Sequence, residues 1–411
     1  MNSADTGFVL FSAALVMLMT PGLALFYGGM VRNKNVLSTI MQNFILIALI
    51  GVQWAIFGYT LAFGPDLGGI IGKLDWLGLA GVGLQPFDAY SKTIPHQTFM
   101  IYQAMFAIIT PALITGAWAE RFKFSTFLVF SLLWATLVYD PVAHWVWGDG
   151  GWLKKLGALD FAGGTVVHIN AGISALAAAL VIGRRKGYGG YGNGNEAFIP
   201  HNLPMTILGA GLLWFGWFGF NAGSALAAGG LASSAFTATH LATCGATLAW
   251  VGVEWLFRGK PTTLGAASGA VAGLVAITPA AGYVGPMSAI IIGAMAGVIC
   301  YLAVLAKVKL GYDDSLDVVG VHCVGGVVGA LATGLFASKL INPEGANGLF
   351  FGNPAQLGIQ AVAVLVTLVY AFVVSLILFK VLDVIMGLRV TPEEETAGLD
   401  ISEHQEAGYT L

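Results

Sequence analysis

The sequence predicts an all-α polytopic membrane protein. Eleven transmembrane helices are expected, with spans 1–5 and 6–10 forming an inverted five-helix repeat and a long eleventh helix after them. Three observations predict this. Charge is scarce, apolar segments of spanning length follow one another along the chain, and basic residues alternate among the joints between them.

The 411 residues include 18 Lys and Arg and 21 Asp and Glu, and seven of these charges fall in the last 25 residues. Soluble domains carry roughly a quarter charged residues, whereas this chain carries 9% at a mean hydropathy of +0.81. The 57 glycines are interleaved with Leu, Val, Ala and Phe. Small residues let membrane helices approach closely where lipid supplies no hydrophobic drive for helix to meet helix. A net charge of −3 gives nucleic-acid binding no electrostatic support. Cys244, Cys300 and Cys323 lie in apolar segments without a C-x-x-C pair. No H-E-x-x-H or cysteine–histidine spacing suits a metal, so neither metal nor cofactor is expected.

In chain order the apolar segments are 8–31, 36–63, 98–118, 124–147, 161–182, 202–224, 232–257, 261–280, 286–306, 317–338 and 356–386. About 20 apolar residues cross a hydrocarbon core of ~30 Å. The first, "GFVLFSAALVMLMTPGLALFYGGMV", lacks a basic leader region and reads as a span, not a cleaved peptide. "RNKN" separates it from the second, and the Gly-rich loop 64–97, to which no role is assigned, separates the second from the third. "ERFK" divides the third from the fourth, "GRRKG" ends the fifth and "RGKP" ends the seventh. The short "AGYVGP" joins the eighth to the ninth, and "KVKLGYDD" separates the ninth from the tenth.

With the N-terminus outside, 13 of the 18 basic residues fall on the cytoplasmic side: Arg32, Lys34, Arg121, Lys123, Arg184, Arg185, Lys186, Arg258, Lys260, Lys307, Lys309, Lys380 and Arg389. The positive-inside bias therefore supports an odd number of spans and a cytoplasmic C-terminus. Residues 1–386 form the membrane domain. Residues 387–411 form a charged tail, too short for a second domain and suited to facing a cytosolic partner.

Two spans begin alike. The fifth opens Asp160-x-x-Gly163 and continues to His168, and the tenth opens Asp317-x-x-Gly320 and continues to His322. They are entered from opposite faces, the pattern of inverted-repeat transporters. At about 1.5 Å per residue, His168 lies ~12 Å below Asp160 and His322 ~7.5 Å above Asp317, so both imidazoles point to mid-membrane depth. Asp160 reads as a helix cap, whether or not it also serves a substrate, and Asp317 reads the same way at the cytoplasmic end. The histidines read either as hydrogen-bonded packing or as a pair in the bundle interior, where ionisable residues mark pathways. Asp313 and Asp314 read as solvated. His144 is expected to pair with Asp140 four residues earlier, and His240 to be structural or interfacial. His96, His201 and His404 fall in joints or the tail.

Trp145 reads as an interfacial belt anchor. "LWFGWFGFNAGSA" sets Trp214, Phe215, Trp217, Phe218 and Phe220 before Ser224. So many rings among glycines either fill core or hold a cation, at roughly 0.5–2 kcal/mol per contact.

At this point the sequence resembles the ammonium transporters of the Amt/Mep/Rh superfamily. The matching stretches are "PGLALFYGG" (21–29), "GAWAERF" (116–122), "AHWVWG" (143–148), "DFAGGTVVHINAG" (160–172), "PHNLP" (200–204), "GWFGFNAGSA" (216–225), "GVHCVGG" (320–326) and "GLRVTPEEETAGLD" (387–400). They span the chain in order. The resemblance implies a homotrimer with one pore per subunit, carrying ammonium and methylammonium. It implies an outer recruitment site of Trp147, Ser224 and one face of Phe106, structured by Asp160. Phe106 and Phe220 would form a phenyl gate, and His168, His322 and Trp217 would line the pore. Trp147 together with Ser224 favours the bacterial Amt branch, and hence the cell inner membrane. Arg389, Gly398 and Asp400 match positions of a tail that docks a PII-type signalling protein.

Ammonium and potassium share size and charge, but only ammonium has N–H donors and a removable proton. A narrow lumen without carboxylates excludes an unpaired ion yet passes neutral ammonia. The expected function is therefore recruitment of ammonium, deprotonation and passage as ammonia. The twin imidazoles would relay the released proton. The alternatives are an ammonium sensor acting through a separate partner and conduction of another small neutral solute. A membrane enzyme is disfavoured, because no nucleophile motif or metal set accompanies the histidines.

Overall fold

The computed structural model describes residues 1–188 and 198–409, and these are nearly all helical. The long helices are α1 (Ser3–Met30), α2 (Asn33–Phe63), α3 (His96–Trp118), α4 (124–147), α5 (Gly164–Ile182) and α6 (Leu203–Ala222). They continue as α7 (Gly230–Arg258), α8 (Thr263–Ile277), α9 (Pro286–Leu310), α10 (Val319–Phe336) and α11 (Ala355–Met386). Each falls on one expected segment. Nine are long and apolar enough to cross a membrane by length and composition. The other two are α7, whose 29 residues include Ser233, Thr237, Thr239, His240, Thr243 and Glu254, and α8, with only 15.

α1 lies along α6, the first helix of each expected half. Glycine permits the approach, since a Cβ on Gly209 would sit 2.3 Å from the backbone nitrogen of Phe26. α5 crosses the start of α10 in the same way, and a Cβ on Gly172 would sit 2.2 Å from Cys323 N. That second crossing brings the two histidine-bearing turns together.

Both turns are π-helical, over Gly164–Ile169 and Val319–Cys323. Single π turns re-aim side chains inside otherwise α-helical segments. Asp160 precedes the first, with Oδ1 accepting from Gly163 N and Gly164 N at 2.8 and 2.7 Å. Its Oδ2 accepts from Thr165 N and Val166 N at 2.8 and 3.1 Å. Four of the unpaired donors that any helix start presents are satisfied by one carboxylate.

The counterpart in α10 differs from the expectation. Asp317 does not cap the turn; it takes a left-handed backbone conformation (φ 62°) and its carboxylate pairs with Lys307 Nζ. The cap is Asp314, whose Oδ2 accepts from Val319 N at 2.7 Å. Asp313 and Asp314 are fully buried, not solvated.

The end of the bundle where the chain finishes, here termed the tail face, holds a buried ion network. Glu120 bonds Arg32 through that residue's backbone nitrogen at 2.7 Å and its guanidinium at 2.9 Å. Arg185 joins Glu120 at 3.5 Å to Asp313 at 2.9 Å, and Arg121 lies 3.9 Å from Asp313. Burial would raise the Glu120 and Asp313 carboxyls, but Arg185, with Arg32 and Arg121, outweighs it and holds both below their ordinary values.

At the opposite face, loop 64–97 folds over the helix ends with an antiparallel pair, β1 (Asp66–Leu67) and β2 (Ile71–Gly72). His144 is fully buried and anchors that loop: Nδ1 lies 2.9 Å from Ala62 O and Nε2 3.0 Å from Asp66 Oδ1. The expected pair with Asp140 does not form, because Asp140 accepts from Gln53 Nε2 at 2.9 Å instead. A long-range partner displaced the local one, which spacing along one helix does not reveal.

Candidate functional site

A line of side chains runs from the loop-covered face into the bundle. It begins at a cavity of about 160 Å³ whose lining includes Phe63, Tyr90, Phe99, Phe106, Trp147 and Ser224. Trp147 closes α4, and its Nε1 donates to Asp160 O at 2.8 Å, so the capping residue also fixes the indole. Ser224 Oγ donates to Phe220 O at 2.8 Å and lies 3.2 Å from the Tyr102 hydroxyl. Tyr102 in turn donates to Gly219 O and Phe220 O, each at 2.9 Å. It pins the end of α6, a role that sequence reading missed because a lone tyrosine in an apolar helix carries no pattern.

The floor of the cavity is the Phe106 ring. Its centroid stands 4.3 Å from that of Phe220 at 36° and 5.8 Å from that of Trp147 at 87°. Both phenyl rings are buried.

Past them is an enclosed void of about 10 Å³, lined by Leu23, Leu113, Trp217, Val271, His168 and His322 among others. A volume of about 10–15 Å³ holds one water-sized molecule. The two imidazoles face each other with Nδ1 atoms 3.3 Å apart, centroids 5.4 Å apart and planes at 19°. Trp217 stacks on His168 at 5.3 Å and 17°, and its Nε1 donates to Thr278 Oγ1 at 2.8 Å. His168 Nε2 is buried without a hydrogen-bond partner. The structure brings the two histidines together as a hydrogen-bonded pair.

His240 lies apart from this line, its ring 5.5 Å from Trp214. No group of three or more His, Cys, Asp or Glu among the described residues is arranged to hold a metal.

The C-terminal segment lies across the tail face. Arg389 NH2 pairs with Glu395 at 2.6 Å and its NH1 donates to Ile182 O at 3.3 Å. α12 (Pro392–Ala397) starts with a capping box, Thr391 and Glu394 bonding each other's backbone nitrogens. α13 (Leu399–His404) follows. Gly398 (φ 103°) is required between them, since a Cβ there would meet Lys34 Cβ at 2.6 Å. Asp400 Oδ1 accepts from Ser38 N at 2.8 Å, so a tail carboxylate caps the start of α2 from outside. The three tail residues singled out from sequence therefore all touch the bundle; residues 410 and 411 lie outside the described residues.

Comparison with known proteins places this arrangement. The model of the Ammonium Transporter Family matches residues 7–409. The chain is 54% identical to an ammonium transporter of Bacillus subtilis over 100% of this chain and 99% of that one. It is 48% identical to the ammonium transporter Amt1 of Archaeoglobus fulgidus, with both chains fully covered. Among solved structures it superposes on Candida albicans Mep2 with a TM-score of 0.89 at 37% identity, covering 96% of this chain and 88% of that one. A structure described as Sensor Amt Protein superposes with a TM-score of 0.90 at 32% identity, over 98% of both. The chain belongs to the ammonium transporter family: it is a multi-pass membrane transporter of the Amt type, and not an enzyme.

Proposed function

We propose that this transporter recruits ammonium in the cavity beside Trp147, Ser224 and Phe106, strips one proton near the Phe106–Phe220 gate and passes ammonia along His168 and His322. The observation that carries the reading is the facing imidazole pair in a lumen with space for one small molecule. A cation that has lost water gains from the Trp147 and Phe106 faces and from the Ser224 oxygen. Beyond the gate no carboxylate lines the void, so an ion that keeps its charge meets an unpaired desolvation cost. Neutral ammonia needs only weak hydrogen bonding. Each neutral imidazole has one donor and one acceptor nitrogen. The pair thus bonds internally, offers its remaining nitrogens to ammonia and provides a route for the released proton, giving net ammonium uptake. Asp160 builds the outer site through the Trp147 indole and the α5 cap.

In this reading residues 1–386 are the conducting domain, with eleven spans, an inverted repeat and the N-terminus outside, in the cell inner membrane. Residues 387–411 are a cytoplasmic regulatory tail, positioned through Arg389, Gly398 and Asp400 for a PII-type partner. The working unit is a homotrimer, and methylammonium is a second substrate. A sensor acting through a separate cytosolic partner is the second reading, favoured by the likeness to the structure described as a sensor.

Electrophysiology of the purified protein in liposomes tests the proposal, comparing ammonium, methylammonium and potassium. Currents with the first two and none with potassium are expected. A potassium current equal to that of ammonium overturns the deprotonation step.

A further inference from the structure

The recruitment cavity adjoins a second one of about 440 Å³, lined by Asp66, Trp76, Phe87, Asp149 and Lys155 among others. The two share Phe63, Tyr90 and Lys154. Lys154 comes from the single helical turn Trp152–Leu156 between α4 and α5. Its Nζ donates to Trp147 O at 3.2 Å and stands 6.0 Å from the centroid of the Tyr90 ring. A lysine head is a primary alkylammonium. Here it occupies an aromatic face and a carbonyl oxygen at the junction of the two cavities, the kinds of group that an incoming ammonium ion seeks.

We infer that Lys154 is a tethered competitor that sets the apparent affinity for ammonium at the outer mouth. Its positive charge faces the path of a positively charged substrate. It also fills contacts that the substrate would otherwise make before reaching Trp147 and Phe106. The carboxylate of Asp66 does not cancel it, being engaged with His144 and Lys155 at 3.0 and 3.4 Å. Asp149 is exposed on the second cavity. Lys154 is therefore an affinity-setting rim residue whose effect falls on substrate entry and not on conduction past the gate. Like-charge repulsion at this range lies outside the low-dielectric core, so it is screened by salt.

This inference rests on the proposed recruitment site, and the experiment separates the two. Half-saturation and maximal current for ammonium are measured in liposomes at low (~10 mM) and high (~500 mM) ionic strength. Lys154→Gln is expected to lower half-saturation by roughly three- to tenfold at low salt, with unchanged maximal current and a smaller change at high salt. Lys154→Glu is expected to go further in the same direction, while Lys154→Arg, which keeps the charge, stays near the parent. Half-saturation that does not move in Lys154→Gln, or that moves equally at both salts, overturns the inference. If Trp147→Leu also leaves half-saturation unchanged, it is the recruitment site that fails; if Trp147→Leu raises it, only the role of Lys154 is lost.

Discussion

His168 and His322 meet Nδ1 to Nδ1 at 3.3 Å, although 154 residues separate them in the chain. One nitrogen must donate and the other accept, so the two neutral rings hold opposite tautomers: where one Nε2 is an acceptor, the other is a donor. The pair is thus polarised along the void it lines, and in the proposed mechanism removing either ring breaks the relay. Under the proposed mechanism, His168→Ala and His322→Ala each lower the ammonium current at least tenfold, about 1.4 kcal/mol in barrier terms. Liposome current with parallel uptake of labelled methylammonium checks this. Unchanged ammonium current with potassium still excluded removes the histidines from the mechanism.

Asp160 makes a separable prediction, because its carboxylate holds four backbone donors. Asp160→Ala leaves them buried and unpaired, and each such loss costs about 1–3 kcal/mol. Asp160→Asn keeps one oxygen and turns the other into a donor aimed at donors. Both variants are expected to lower the thermal midpoint in detergent, Ala at least as much as Asn, and to weaken ammonium half-saturation as the turn whose Asp160 carbonyl holds the Trp147 indole loosens. A midpoint within a degree of the parent for Asp160→Ala counts against the cap as a source of stability.

How far the sequence carried the reading depends on whether a contact was local. The eleven helices were legible because charge scarcity and basic joints are properties of the chain itself. His168 and His322 were legible as a pair because two ionisable residues in apolar spans repeat a pattern. Asp314 was not, because the D-x-x-G pattern shared by the two spans falls on Asp317. The interval points to Asp314: eight residues separate Asp160 from His168, and eight separate Asp314 from His322. His144 was misassigned because its partner, Asp66, is 78 residues away, and Tyr102 and Lys154 act through contacts that no spacing announces.

The loop over the face opposite the tail depends on His144. His144→Ala removes both ring bonds, to Ala62 O and to Asp66, and leaves a cavity under β1. Loss of a buried polar contact with a large-to-small change costs about 2–4 kcal/mol locally. Hydrogen exchange over residues 64–72 is expected to accelerate in His144→Ala while the amides of α5 and α10 stay protected. Equal protection in the loop would show that the aromatic contacts of Trp76 and Phe87 hold it alone.

At the tail face, Gly398 and Asp400 act through one junction with the start of α2. Gly398→Val places a side chain against Lys34 and forces a left-handed glycine conformation on a β-branched residue. Asp400→Ala removes an N-terminal cap worth about 1 kcal/mol. Either change is expected to release the tail to limited proteolysis after residue 390 while leaving the bundle intact, and the double variant to add little. Full additivity of the two effects would separate the residues into independent contacts.

The carboxyls at the tail face set opposing slopes of stability against pH. Glu120 and Asp313 are held below their ordinary values of 4.5 and 3.8. Their stabilisation is complete above those values and is lost as pH falls through the lowered, folded ones. Asp314 has the opposite sign: burial, partly offset by Lys307, pushes it up to about 6 from 3.8. Its folded form binds the proton more tightly than the unfolded chain, so stability is lost as pH rises from 3.8 through about 6. Burial raises Asp400 in the same direction. The thermal midpoint in detergent is therefore expected to rise on acidification from neutrality through about 6, and to fall steeply once Glu120 and Asp313 protonate. Asp314→Asn should flatten the first limb and leave the second. A midpoint that falls monotonically from neutrality in both proteins would remove Asp314 as the source of the upper limb.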